Sequence, residues 1–341
     1  MRDNVELEKL RELSDAKITS DYGKRDLTAL FLNQLSTISL RNSAKIMSLF
    51  KNTMLNHENR SYYTAFVDIN NQCNLSCPNC INSCFNNNTE DLTWSLEKMN
   101  NVFFTIKQNT KMIFIPGGEP FMNPNLIDAI EQNQDMLFLV FTNGTMSEEY
   151  KKLIDKKLRN IVVIFSIDGT KDYHDNKRGT GVYDLALKNL QYLRDKKYPC
   201  TISSVVDSKN IDHLFSSEYI EFVKKAKANG LLFLKDAKDN SDEFMEKYYN
   251  KSQELAQNLG KTFPIFNMPY MEHQVKLNNG LCVGGKLFIH INAYGEITRC
   301  PFDLKVCGQL EGDSNELNKN LQENDEHCCY NTWVKKKKAN Q

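Results

Sequence analysis

The chain has 341 residues with 43 basic and 43 acidic side chains, so no net charge points to nucleic acid or to a membrane surface. Its 40% apolar and 10% aromatic content can bury a full core, and no uninterrupted apolar run reaches the roughly 18 residues of a membrane helix. The length exceeds one average domain, although an α/β barrel can use most of it.

The start, Met1-Arg2-Asp3-Asn4-Val5-Glu6, lacks the basic-then-apolar pattern of a signal peptide, and a cytoplasmic protein is expected. Ten cysteines are many for that compartment, where disulfides are rare and clustered thiols bind metal. They do cluster: four between 73 and 84, five between 282 and 329, with Cys200 alone.

Residues 1–60 have helical apolar spacing at Leu27, Phe31, Leu35 and Ile38 and are expected to form a helical preface. From 61 to 240 short apolar runs alternate with amphipathic segments. The runs are 62–69, 111–115, 136–141, 160–166, 200–206 and 231–234. Between them, Met99, Val102, Phe103 and Ile106 share one helix face, and Tyr219, Ile220, Val223 and Ala226 another. A third face carries Leu126, Ile127 and Ile130, and a fourth Leu185, Leu187, Leu190 and Leu193. Asn123 before Pro124, and Ser147 before two glutamates, are expected helix caps. Six β-α repeats imply a parallel sheet covered by helices, and in such folds the site forms from the loops leaving the strands' C-terminal ends.

Unusual residues fall at those ends. Cys73-Asn74-Leu75-Ser76-Cys77-Pro78-Asn79-Cys80 follows the first strand, and Gly117-Gly118-Glu119-Pro120 the second. Thr142-Asn143-Gly144-Thr145 follows the third, and Ser166-Ile167-Asp168-Gly169 the fourth. Three cysteines on one loop are one fewer than usually closes a structural zinc site or a four-iron cluster, so a cluster held here keeps one iron open. Cys84 reads as a thiol at a helix start rather than a fourth ligand, and Cys200 as core packing.

In this order the four motifs resemble those of the radical S-adenosylmethionine (SAM) enzymes, as does His174-Asp175-Asn176-Lys177-Arg178-Gly179. The resemblance covers about 60–235 and implies a six-stranded partial barrel. It implies that Cys73, Cys77 and Cys80 bind a four-iron, four-sulfur cluster and that SAM chelates its open iron. A 5′-deoxyadenosyl radical would then take hydrogen from a peptide, sugar or other small metabolite, with an electron donor such as flavodoxin or ferredoxin. Glu119 would help to hold the SAM amino group, Gly117 and Gly118 would let the backbone approach its methionine end, and Arg178 would pair with its carboxylate. Asn143 would lie near the ribose or methionine, and Ser166 and Asp168 would bond the ribose, unless Asp168 only shapes its turn. His174 reads as a surface-loop histidine rather than a proton shuttle. Asn79 departs from the family, where an aromatic residue often precedes the third cysteine.

Residues 241–341 read as a helix followed by a small C-terminal domain. There 286–291 and 296–299 suggest a hairpin joined by Asn292-Ala293-Tyr294-Gly295. Cys282 and Cys300 at its ends resemble the opening of the auxiliary-cluster extensions called SPASM and twitch domains, with Cys307, Cys328 and Cys329 as further ligands. The later dense cysteine run of a full SPASM domain is missing, so a reduced, single-cluster domain is expected. His290 and His327 are weaker ligand candidates, and Lys335–Lys338 reads as a solvated end. Two other classes compete. A non-catalytic iron–sulfur carrier or sensor explains the cysteines but not the glycine and glutamate turn, and a zinc scaffold explains still less.

Overall fold

The computed structural model describes residues 64–78, 90–236, 265–267, 284–285, 288–301, 305–309 and 320–321, parts of 239–254, and the single residues Ser48, Tyr62 and Cys80. The helical preface, Asn79, Cys84, Cys282, Cys328, Cys329, His327 and the lysine tail lie outside the described residues.

The six predicted runs all form strands: β1 (Thr64–Val67), β2 (Met112–Ile115), β3 (Leu137–Thr142), β4 (Ile161–Ser166), β5 (Cys200–Val206) and β6 (Gly230–Lys235). They pair in parallel and in chain order. Side chains in β1 and β2 alternate between half-buried and buried, the two-residue period of a pleated strand. On the less buried face Phe66 stacks on Phe114, its cross-strand partner, with ring centroids 4.8 Å apart.

Three further elements extend this sheet into an open partial barrel. Strand β7 (Ile265–Asn267) adds in parallel beside β6. The predicted C-terminal hairpin forms as β8 (Phe288–Ile291) and β9 (Glu296–Thr298). Strand β8 also pairs in parallel with β1, so the hairpin continues the barrel sheet. Strand β10 (Val306–Gln309) closes the order β10-β9-β8-β1-β2-β3-β4-β5-β6-β7. A bulge between Val306 and Gly308 turns Cys307 into the buried side of this edge.

Helices α1 (Leu96–Ile106), α2 (Leu126–Gln132), α3 (Ser147–Asp155), α4 (Lys171–Arg178), α5 (Val182–Asp195), α6 (Ile211–Leu214) and α7 (Ser217–Lys225) connect the strands. Every described residue from 243 to 254 is helical as well. The expected apolar faces of α1, α2 and α7 are buried. In α5 the buried line is Val182, Ala186, Leu190 and Leu193, while Leu185 and Leu187 are half-buried. Cys200 is buried in this core, and burial pushes its thiol up to about 12, as expected of packing rather than chemistry.

The expected caps are corrected. Helix α2 begins at Leu126; Asn123 Oδ1 accepts from Asn125 N at 2.9 Å in the turn before it, while its Nδ2 donates to the carbonyls of Ile69 and Trp94. Ser147 is the first residue of α3, and its hydroxyl donates to Asn189. Side-chain caps of α1, α4 and α7 are Ser95, Thr170 and Ser216. Helices α3, α5 and α7 each end with a left-handed lysine: Lys157, Lys197 and Lys227. Each is followed by an amide that bonds back across the last turn, Leu158 to Leu153, Tyr198 to Leu193 and Ala228 to Val223. These paired closures satisfy the last helical carbonyls just before β4, β5 and β6.

Candidate functional site

The four predicted turns meet on one rim. Past β1 the chain runs alongside the turn after β2, where Gly118 N donates to Asn70 O at 3.1 Å and Glu119 N to Gln72 O at 2.7 Å. A Cβ on Gly118 would stand 2.1 Å from Gln72 O, so only glycine admits this contact. Gly117 has φ +43°, and its amide donates to Asp68 Oδ1 at 2.9 Å. The glycines therefore seat the base of the cysteine loop.

Glu119 is buried, and both of its carboxylate oxygens accept hydrogen bonds. Its Oε1 accepts from Thr142 Oγ1 at 2.8 Å and Phe121 N at 3.2 Å, and its Oε2 from Asn143 N at 2.7 Å. Burial pushes the carboxyl up to about 7 against the opposing pull of these bonds. The side chain thus locks the turn after β2 to the turn after β3. Asn143 reaches onward: its Nδ2 donates to Asn74 Oδ1 at 2.8 Å and lies 3.8 Å from Cys73 Sγ.

Cys73, Cys77 and Cys80 form no disulfide and are exposed or half-buried on this loop. Desolvation raises the pKa of Cys73 and Cys77, while the positive charge of Arg178 opposes the rise at Cys77. Among the described residues no three His, Cys, Asp or Glu side chains are grouped to hold one metal ion in common. The donor set still fits an iron–sulfur cluster in its chemistry. Three thiols share a loop, with guanidinium and ammonium charges near Cys77 to balance thiolates.

Beyond β4, Asp168 is buried. Burial raises its carboxyl, but Arg178 and Lys177 overcome this and hold it well below the usual carboxylate range. Arg178 Nε donates to Asp168 Oδ2 at 2.7 Å, Lys177 Nζ lies 3.7 Å from the same oxygen, and Val205 N donates to Oδ1 at 2.7 Å. Asp168 does more than shape a turn: it anchors two cations from α4 to β5. Ser166, the last residue of β4, is half-buried just before this group in the chain.

His174 corrects the surface-loop expectation. It is fully buried on α4, its Nδ1 accepts from Asp168 N at 3.2 Å, and burial pushes the imidazole down to about 4. The Thr170 cap starts the helix early enough to turn the ring inward. Sequence reasoning also missed Asp68, the bond of Thr142 to Glu119 and the Tyr173–Asp207 hydrogen bond. Their partners come from other strands, and no local spacing announces them. In the C-terminal part Cys300 and Cys307 are both buried, on the β9–β10 side of the sheet. Both ring nitrogens of His290 are taken, by Asp68 and Thr298.

A parallel α/β sheet thus carries three cysteines on the loop after its first strand, braced by glycine, glutamate and asparagine turns. Residues 67–215 match the Radical SAM superfamily. An uncharacterized protein of Methanocaldococcus jannaschii is 28% identical over 253 residues, spanning 69% of this chain and 83% of that protein. The AdoMet-dependent heme synthase of Methanosarcina barkeri is 23% identical over 269 residues, spanning 70% of this chain and 76% of that enzyme. The crystal structure of Streptococcus suis SuiB bound to the precursor peptide SuiA aligns with a TM-score of 0.61 at 15% identity, over 86% of this chain and 71% of that one. At that identity the likeness is one of fold.

Proposed function

We propose that the protein is a radical SAM enzyme in which Cys73, Cys77 and Cys80 hold a four-iron, four-sulfur cluster with one open iron. Such a cluster supplies the electron that cleaves SAM to a 5′-deoxyadenosyl radical, the species that takes hydrogen from substrate. The observation that carries the reading is the bracing of the cysteine loop by the other strand-end turns, through Gly118, Glu119 and Asn143. An electron carrier needs the thiols but not this rim.

The residues divide the work. Gly117 and Gly118 present backbone to the amino-acid end of SAM, and Glu119, with Oε2 taken by one donor only, keeps acceptor capacity toward its amino group. Asn143 stands against the cysteine loop, on the side toward the ribose or methionine. Arg178 spends its Nε on Asp168 and keeps its terminal nitrogens for the SAM carboxylate. Ser166 and Asp168 complete the ribose side. Cys300 and Cys307, with Cys282, Cys328 and Cys329, are the proposed ligands of a second, auxiliary cluster in a twitch-like domain.

A flavodoxin or ferredoxin supplies electrons, and the substrate is a peptide or a small metabolite. The names of the relatives span heme synthesis and a precursor peptide, which supports both classes. Anaerobically reconstituted protein given SAM and a reductant should form 5′-deoxyadenosine, and the Cys73, Cys77 and Cys80 triple alanine variant should form none. Formation by that variant would sink the proposal. Iron analysis should give about eight irons in the intact protein and about four in the variant, at four per cluster. A variant that retains no iron removes the auxiliary cluster, and a protein with no SAM affinity is a carrier.

A further inference from the structure

Asp68 and His290 take no part in the roles above, yet they occupy the seam where the C-terminal hairpin joins the first barrel strand. Asp68 leaves β1, and its Oδ1 accepts the amide of Gly117 at 2.9 Å. Its Oδ2 lies 3.0 Å from His290 Nε2 on β8. The other ring nitrogen of His290 is 3.0 Å from Thr298 Oγ1 on β9, and that hydroxyl reaches the Cys300 carbonyl at 3.0 Å. A continuous hydrogen-bonded chain therefore runs from Gly117 N to Cys300 O across three strands. His290 and Thr298 are buried, and Asp68 is half-buried.

Gly117 sits in the left-handed region, where its peptide plane is set by the acceptor of its N–H. That acceptor is a carboxylate whose second oxygen is pinned by a buried imidazole, which removes its freedom to rotate. We infer that Asp68 and His290 are positioning residues that fix the Gly117 peptide, and with it the Gly117–Glu119 turn, for the amino-acid end of SAM. The inference rests on the functional reading above. The ladder supports it: Phe66 on β1 pairs with His290 on β8, which pairs with Thr298 on β9, so the backbone holds the chain in register.

The polarity of the chain supplies a discriminating variant. Asp68→Asn keeps an oxygen for Gly117 N–H and can donate from its amide to His290 Nε2. The imidazole then donates to Thr298, and Thr298 to Cys300 O, so every link survives. Asp68→Ala breaks the chain at its first link, and His290→Phe at its second with little change in shape.

The test measures SAM binding by equilibrium titration on cluster-loaded full-length protein, together with iron content and the thermal unfolding midpoint. Asp68→Ala and His290→Phe should weaken SAM binding about tenfold or more with iron content retained, the usual scale for losing a second layer of support. Asp68→Asn should stay within about threefold of wild type, since its hydrogen bonds are exchanged rather than lost. Unchanged affinity in both chain-breaking variants overturns the inference alone. So does an affinity loss that only follows lost iron or a lowered midpoint. Should Asp68→Ala fail to fold, His290→Phe decides between these outcomes. A wild-type protein that binds no SAM overturns the functional reading and this inference with it.

Discussion

The two rims of the barrel are built by opposite means. On the rim after the strands, buried polar side chains grip turns that lie far apart in sequence: Glu119 holds Thr142 and Asn143, and Asp168 holds Arg178 and Val205. On the rim before the strands, three helices finish with the same local closure around a left-handed lysine, at Lys157, Lys197 and Lys227. One rim depends on tertiary contacts and tolerates little substitution. The other is a repeated backbone device that involves none of the rim motifs. Sensitivity to mutation is thus concentrated on the side of the barrel where the cysteines lie.

Substitutions on each rim measure that difference. The largest expected effect is Asp168→Ala, which strands the positive charges of Arg178 and Lys177 and should cost about 3–5 kcal/mol in denaturant unfolding. A loss below about 1 kcal/mol would mean that water already compensates these charges. Next comes Gly118→Ala, whose methyl group meets the Gln72 carbonyl with no side chain to move aside. It should cost about 3 kcal/mol, the upper range for forced overpacking, and reduce iron loading by displacing the cysteine loop.

A third test uses pH. The folded pKa of His174 is about 4, below its ordinary 6.5, because burial disfavours the cation. Its contribution to stability is therefore fully present above pH 6.5 and fades as pH falls toward 4. Between pH 7 and pH 5 the wild type should lose about 2 kcal/mol relative to His174→Asn, read from paired urea titrations. Parallel pH profiles for the two proteins would place the ring in solvent.

The smallest effect belongs to the opposite rim. Lys197→Gly relieves about 1–2 kcal/mol of left-handed strain and returns about 0.4–1 kcal/mol to unfolded-chain entropy. The net gain should be about 1 kcal/mol, seen as a higher unfolding midpoint with SAM binding unchanged.

This contrast also explains what can be read from the sequence. The six barrel strands are legible because their apolar runs end at turn-forming residues, and their observed bounds lie close to those expected. The rim motifs are legible because glycines, cysteines and acidic residues stand out where a strand stops. The local bond of Asn123 to Asn125 N is legible, but its hold on Ile69 and Trp94 is not, because they belong to a distant segment. His174 passes for a surface residue because whether a histidine faces inward depends on where its helix begins. Strand β7 escapes notice because three residues carry too little pattern to separate from a loop. The pairing of β8 with β1 escapes it because nothing local in either strand names its neighbour.

That last pairing sets an order of events in synthesis. Asp68 and His290 meet although 222 residues separate them, and Trp94 Nε1 donates to Ala293 O at 2.6 Å across 199 residues. The strand that leads into the cysteine loop is the first of the barrel to leave the ribosome, and its outer neighbour is among the last. Until β8 arrives, β1 is a bare edge with unpaired amides, the kind of surface that invites association between nascent chains. The cysteine loop therefore gains its final frame only after nearly the whole barrel has been made.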